Sequence, residues 1–435
     1  YFIFNRFIKN IMSTNFRPKN YEPLDSTTIK NFIENREQIK TILGDTKEIQ
    51  IEEVGDGNLN LVFFVKSGTK SICIKQPLPY LRVLKDWPLT LKRSYYEAEY
   101  MKIHSKHVSK LMPVIYDFDS ELCTITMEKL SHHIIMRQGL IKAIRYDNFA
   151  EDISTFMSKT LFFTSDLYLN AAEKKELNSR FILNTELCKI TEDLIFTDPY
   201  MYNKNNRWTS PNLDKQKNDI ENNNDLKIAV SRLKLKFLNE NQSLLHGDLH
   251  TGSIMTTEND TKVIDPEFAF FGPMGFDVGA LIANLLMSFF SQNGYEKNIG
   301  DRSEYKKWIL ETIYDVWTKF EIKFTKLWDE FPQGDAYPPI MFENNKYIIQ
   351  DEKKLFLKNI FKDSIGFAGA KIIRRIFGFA HNIDFEWIEN LETRAGCENK
   401  CANLGIQMQI NTDNFKDISS LIDMAEKLDK DSVSF

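Results

Sequence analysis

The sequence predicts a two-lobed α+β fold in which a small, strand-rich N-terminal lobe precedes a larger, mostly helical C-terminal lobe. Three observations predict it. Runs that alternate apolar and polar residues, the mark of half-buried strands, crowd into the segment before residue 129. Beyond it, apolar residues recur at helical spacing. The interruption is a pair of short apolar runs, each leading straight into polar residues at a strand end. One is Leu244-Leu245 before His246-Gly247-Asp248-Leu249-His250-Thr251-Gly252-Ser253, the other Val263-Ile264 before Asp265-Pro266-Glu267.

Asp248 and the Asp265/Glu267 pair are expected to serve one cleft. Phosphoryl transfer needs that combination, because one carboxylate must orient the attacking hydroxyl while others hold divalent cations. Protein kinases carry His-Arg-Asp, an Asn five residues after the Asp, and later Asp-Phe-Gly. Here Gly247 replaces the arginine, His250 follows the Asp by two, Ser253 takes the Asn position and Asp-Pro-Glu replaces Asp-Phe-Gly. The His-Gly-Asp form resembles the aminoglycoside phosphotransferase and choline kinase group, small-molecule kinases on a protein-kinase-like fold. Within it, His-Gly-Asp-Leu-His-Thr-Gly-Ser followed by Asp-Pro-Glu-Phe-Ala-Phe is similar to the methylthioribose kinase family. That resemblance, spanning Tyr21 to Glu386, implies a protein-kinase-like bilobal fold. It also implies ATP and Mg²⁺ as cofactors, phosphorylation of 5-methylthioribose at its 1-hydroxyl in methionine salvage, a cytoplasmic location and a homodimer.

Composition is compatible with this. A chain of 435 residues, 42% apolar and 27% charged, can bury a sizeable core. A net charge of −5 gives no nucleic-acid signature, so phosphate binding must come from a local cluster. No run reaches the length of a membrane span. Five scattered cysteines, Cys73, Cys123, Cys188, Cys397 and Cys401, fit a reducing compartment and complete no zinc pattern. The expected division is a tail over residues 1–20, a nucleotide-binding lobe over 21–128, and a catalytic and sugar-binding lobe over 129–435. The tail starts at Tyr1, and Met12 is read as the start of translation.

Taken in order, residues 21–43 read as one helix, capped near Ser26-Thr27-Thr28, with Ile29, Phe32, Ile33 and Ile39 as its apolar face and Gly44 as its stop. Two strands over 49–54 and 59–65 flank Gly55-Asp56-Gly57-Asn58. That glycine-rich hairpin suits backbone approach to phosphate, and equally an ordinary tight turn, so Gly55, Gly57 and Asn58 are candidate ATP contacts. The strand over 71–75 ends in Lys75, which in the kinase plan pairs the phosphates and a helix glutamate. A proline-punctuated loop carries Arg82 and Trp87-Pro88-Leu89-Thr90, the latter shared with the methylthioribose kinase family. Thr90 then caps a helix bearing Arg93, Glu97 and Glu99. The two glutamates lie about 200° apart on a helix, so only one can face Lys75; the resemblance favours Glu97. The strand over 122–127 leads into Glu128-Lys129-Leu130, the position of the hinge. Met127, Glu128 and Leu130 are expected at the adenine, although Met127 fits equally as core.

In the helical part, 203–224 reads as a polar surface loop. Asp277 opens an apolar helix, where the resemblance has it anchor the backbone around His246 and where a simple helix cap would also explain it. A stripe from Trp308 to Trp328 reads as core. Finally, Ile365 to Gly378 combines small residues, which admit a close neighbouring helix, with Arg374 and Arg375 in apolar surroundings. They point about 100° apart. A structural ion pair and a ligand-binding role both explain them; the resemblance assigns them, with Asp248, to the sugar. Three rivals frame the reading. A choline- or aminoglycoside-type kinase wants an acidic patch, a protein kinase wants a lysine two after Asp248, and an inactive nucleotide-binding module would have lost Asp248, Asp265 or Lys75, all of which are present.

Overall fold

The computed structural model describes residues 17–54, 59–81 and 84–431. The tail before residue 17 with Met12, the glycine turn of Gly55, Gly57 and Asn58, and Arg82 lie outside these residues. Two compact units emerge: one comprises the chain up to His132 together with Ser179–Cys188 and Lys262–Ala269, the other comprises His133–Asn178, Lys189–Thr261 and Phe270 onward. Among the described residues no helix is long and apolar enough to cross a membrane.

The first unit is built on a five-stranded antiparallel sheet. Its strands are β1 (Gln50–Glu53), β2 (Asn60–Ser67), β3 (Lys70–Pro77), β4 (Ile115–Asp119) and β5 (Thr124–Glu128), ordered β1-β2-β3-β5-β4. Register sets Lys75 on β3 between Val62 and Ile125. One face of the sheet buries Phe63, Val65, Ile72 and Ile74 with Ile29, Phe32, Ile39 and Leu43. Those last four come from two short helices, α1 (Thr28–Glu34) and α2 (Glu37–Leu43), rather than the single helix expected. The break falls at Arg36, whose backbone is extended (φ −131°, ψ 98°) and whose guanidinium pairs with Asp117 and Asp119 of β4. Asp25, not the Ser-Thr-Thr run, receives the first free N–H groups, those of Thr27 and Thr28, each at 2.8 Å. Helix α3 (Arg93–Val108) buries Ala98 against Ile125 and Met127.

The second unit is helical. Helix α4 (Phe149–Phe163) packs on the long α7 (Ser303–Glu330), whose buried stripe runs from Ile309 through Trp317 and Phe324 to Trp328. Between them in sequence, α5 (Asp214–Asn222) occupies part of the expected polar loop. It forms because Leu213 and Ile220 are buried while Lys217 donates to the Pro199 carbonyl at 2.8 Å. The fully buried α6 (Gly275–Ser291) lies against α8 (Lys346–Phe377), which in turn packs on α9 (Leu391–Ile410). These crossings need missing side chains. A Cβ on Gly279 would sit 2.4 Å from the Ser364 carbonyl oxygen, and one on Gly369 would sit 2.5 Å from that of Gly405. Short strands β6 (Ser243–Leu245) and β7 (Phe270–Gly272) pair antiparallel and deliver the chain to His246.

Candidate active site

In the first unit, the site grows from the end of β3. Lys75 is 5% exposed, and its ammonium lies 2.7 and 2.9 Å from the two oxygens of Glu97 and 2.5 Å from Asp265 Oδ1. Glu97 therefore takes the inward direction of α3. Glu99 points elsewhere, 3.8 Å from Arg180 and from Lys102. Burial acts to discharge Lys75, but Asp265 and Glu97 outweigh it and raise its pKa above the ordinary lysine value. Glu97 is pushed up to about 7 by burial, with Lys75 opposing and the charges of Asp265 and Glu267 adding to the rise.

Asp265 occupies the left-handed backbone region (φ 62°, ψ 45°), sparsely populated outside glycine, immediately before the turn begun by Pro266. That conformation brings its carboxylate to Lys75 while leaving the side chain 45% exposed. Glu267 has a different environment. It is 4% exposed, and its Oε2 is 3.2 Å both from Arg93 Nε and from Asn60 Nδ2. Arg93, fully buried, also donates to the carbonyls of Leu78, Thr90 and Leu59. Any metal role of Glu267 must thus share its carboxylate with an ion pair that sequence reasoning missed. The available signal was an arginine one helical turn before Glu97. At the expected hinge, Met127 is buried beside Ala98 and Ile125, Glu128 accepts from the Val114 N–H at 3.2 Å, and Leu130 is half-buried just after β5.

Asp265 fits a divalent cation: it is an oxygen donor, open to solvent and on a fixed backbone. No group of three or more His, Cys, Asp or Glu able to hold a metal occurs among the described residues. A carboxylate oxygen of that kind is a ligand type that Mg²⁺ takes together with waters and substrate phosphates.

In the second unit, Asp277 at the start of α6 accepts the N–H of His246 at 2.6 Å and of Gly247 at 3.1 Å, and so fixes the loop that carries Asp248. Gly247 adopts φ 82°, a conformation that the arginine of a protein kinase motif would not take without strain. Both oxygens of Asp248 are engaged: Oδ1 lies 3.0 Å from Lys371 Nζ on α8 and Oδ2 lies 3.2 Å from His250 Nε2. Burial opposes ionisation here, yet Lys371, followed by His250 and Arg374, holds the Asp248 carboxyl well below the usual range. Further cations gather around it. Arg137 is 3.2 Å from Asp384 and donates to Thr251 and Asn284. Arg375 donates to the carbonyls of Ala380 and His381 at the end of α8.

Arg374 stands apart. Its Nε and Nη1 are shielded from solvent and have no hydrogen-bond partner among the described residues. Neither Arg374 nor Arg375 makes an ion pair with a described carboxylate at close range, although Asp248 acts on both and Asp384 on Arg375 from further away. Lys371 and Arg137 were missed in the sequence. Lys371 sits in the same run as the twin arginines, but nothing local marks it as the partner of a residue 123 positions away.

Residues 178–302 match the model of the Phosphotransferase enzyme family. The chain is 42% identical over 412 residues to "Methylthioribose kinase" of Escherichia coli O45:K1 (strain S88 / ExPEC), covering 94% of this chain and 98% of that protein. It is 42% identical over 416 residues to "Methylthioribose kinase 1" of Oryza sativa subsp. japonica, covering 94% and 96%. Against "Methylthioribose kinase" of Bacillus cereus (strain AH820) the identity is 40% over 362 residues, covering 82% and 86%.

Proposed function

This chain belongs to the methylthioribose kinase family, and from that premise we propose how its residues transfer the γ-phosphoryl group of ATP to the 1-hydroxyl of 5-methylthioribose, a step of methionine salvage. The product is 5-methylthioribose 1-phosphate. The protein is a small-molecule kinase.

Asp248 accepts a hydrogen bond from the 1-hydroxyl and, late in a loose transition state, takes its proton. As the new O–P bond forms, the bond from the γ-phosphorus to the bridging oxygen breaks and ADP leaves. Lys75, held by Glu97, steadies the phosphates of ATP. Asp265, with the share of Glu267 that Arg93 leaves open, would hold magnesium. When bound, that ion neutralises charge on the phosphates. Met127, Glu128 and Leu130 line the adenine. Arg374 and Arg375 serve the sugar and the phosphoryl oxygens. The same reading makes the enzyme a cytoplasmic homodimer, for which a mass of twice the chain's 50.9 kDa in solution is the check.

Arg374 is the observation that carries the assignment: a shielded guanidinium with unpaired donors is costly unless a ligand satisfies it. The charges of Lys371, Arg137, Arg374 and Arg375 all bear on the Asp248 pocket. Cations in that number disfavour choline or an aminoglycoside and suit an uncharged sugar that becomes a phosphate. A coupled ADP-release assay with methylthioribose, ribose, choline and kanamycin tests the reading. Methylthioribose should dominate, and comparable turnover of choline or kanamycin would overturn it.

A further inference from the structure

We propose that Lys371 is the positioning residue of Asp248: its ammonium, together with the imidazole N–H of His250, clamps both oxygens of that carboxylate and holds it ionised in one rotamer for the acceptor hydroxyl. The inference rests on the role of Asp248 given above and deepens it by assigning what readies that carboxylate.

The geometry is that of a two-sided clamp. Lys371 is 2% exposed, projects from α8 one turn before Arg374 and Arg375, and stands 4.7 Å from the centre of the Phe276 ring. Its Nζ reaches Oδ1 of Asp248 at 3.0 Å, and His250 Nε2 reaches Oδ2 at 3.2 Å. The tautomer of His250 follows from its other nitrogen. Gly252 N–H donates to Nδ1 at 3.0 Å, so Nδ1 offers its lone pair and the proton sits on Nε2, facing Asp248. Ser253, in the place of the protein kinase Asn, lies 3.1 Å from the same Nδ1 and donates to the Asp248 carbonyl at 3.1 Å. The clamp is therefore braced from its own loop on one side and from a distant helix on the other.

Electrostatics agree with this arrangement. Burial, with Asp248 opposing and Arg137 adding, lowers His250 to about 4, so it is a neutral donor at working pH. Burial lowers Lys371 to about 8, Asp248 opposing while Arg374 and Arg375 push the same way. The charged groups that face the pair are Arg137, Arg374, Arg375 and, toward Lys371, Asp277. Taking a lysine out of water among arginines is costly, and an apolar pair of equal volume is often as stable or more so. Its placement on the acceptor-orienting oxygen is what accounts for it.

The test is kcat against pH, at saturating ATP and methylthioribose, for wild type, Lys371→Met, Lys371→Gln, Lys371→Arg and Asp248→Asn. Lys371→Met should lower kcat at neutral pH about tenfold to a hundredfold. It should also move the acid limb of the profile up by about one pH unit or more, because Asp248 then protonates more easily. The KM for ATP should not change, and Lys371→Arg should restore the acid limb to its wild-type position. A merely structural cation would lower the melting temperature and leave the limb where it was, which would overturn the proposal. If Lys371→Met does not fold, Lys371→Gln is read in its place, and if neither neutral variant folds the lysine supports the fold and the proposal falls. An active Asp248→Asn would remove the acceptor reading itself. Inactive Asp248→Asn with an unmoved limb in Lys371→Met would remove only the clamp.

Discussion

The constellations around Lys75 and around Asp248 are electrostatic opposites. In the first unit one ammonium is held between the carboxylates of Glu97 and Asp265, with Glu267 nearby and compensated by Arg93. In the second Asp248 feels Lys371, Arg374, Arg375 and Arg137, the last of them also paired with Asp384. The acid-rich set suits a cation that arrives with nucleotide phosphates; the base-rich set suits a hydroxyl that must give up a proton and acquire negative oxygens. Exposure follows the same logic. Asp265 is open enough to receive an ion, whereas Asp248 is enclosed by donors that fix its charge and direction.

The sharpest way to break this contrast is Asp248→Asn. Loss of proton acceptance and of an aimed acceptor should cost at least about 3 kcal/mol in the barrier, a hundredfold or more in kcat. ATP affinity by calorimetry should stay near wild type, and a parallel fall would show that Asp248 belongs to the nucleotide side. Next in size is Arg374→Ala. Since its Nε and Nη1 bind nothing in the described residues, removing it should spare the melting temperature while lowering kcat/KM for methylthioribose by about tenfold to a hundredfold. Arg375→Ala is expected to differ, because it also frees the Ala380 and His381 carbonyls and should lower the melting temperature. Arg375→Lys keeps the charge but loses the planar fork, so any two-donor grip on the ligand is lost with it.

The acid-rich set can be sharpened through its two carboxylates. Asp265→Asn should raise the magnesium concentration for half-maximal activity with the fold retained. Glu267→Ala strips a buried arginine of its partner and should cost ~3–5 kcal/mol of stability. Glu267→Gln should cost less, since the amide oxygen can still accept from Asn60, and any rise in magnesium requirement should be smaller than for Asp265→Asn. Equal magnesium shifts at both positions would make Glu267 a full ligand in spite of Arg93.

What the sequence revealed follows the range of each interaction. Asp248, Asp265 and Lys75 stand out in the sequence because each falls within or just after a strand-like run, inside a short motif of the kind phosphoryl transfer uses. The bilobal α+β class was legible from the switch of apolar period near residue 128. Lys371 was not, because its partner lies on a loop far away in sequence and only the packing of α8 on α6 brings the two together. Arg93 was hidden in the same way: its pairing with Glu267 joins α3 to a turn far along the chain. The split between α1 and α2 escaped since the helical apolar pattern continues across Arg36, and only the carboxylates of β4 reveal why the backbone opens there. The helix within 203–224 escaped because a long-range burial of Ile220 overrides a polar local composition.

The smallest expected effect comes from two glutamates that the sequence could not separate. Glu97 and Glu99 occupy one helix, and either could answer Lys75 by spacing alone. Glu97 is 2% exposed and touches the ammonium through both oxygens, so Glu97→Gln should weaken ATP use, seen as a higher KM for ATP and lower kcat. Glu99 has only partly exposed contacts at 3.8 Å with Lys102 and Arg180, an arrangement worth ~0–1 kcal/mol after screening. Glu99→Gln should therefore leave KM and kcat unchanged and move the melting temperature by no more than a degree or two, roughly the scale of a surface substitution. Raising the salt concentration should erase even that difference, since exposed pairs are screened while the Lys75–Glu97 pair is not. If Glu99→Gln instead raised the KM for ATP as much as Glu97→Gln, α3 would have to turn its other face to Lys75 in the working enzyme, and the distinction between the two positions would fail.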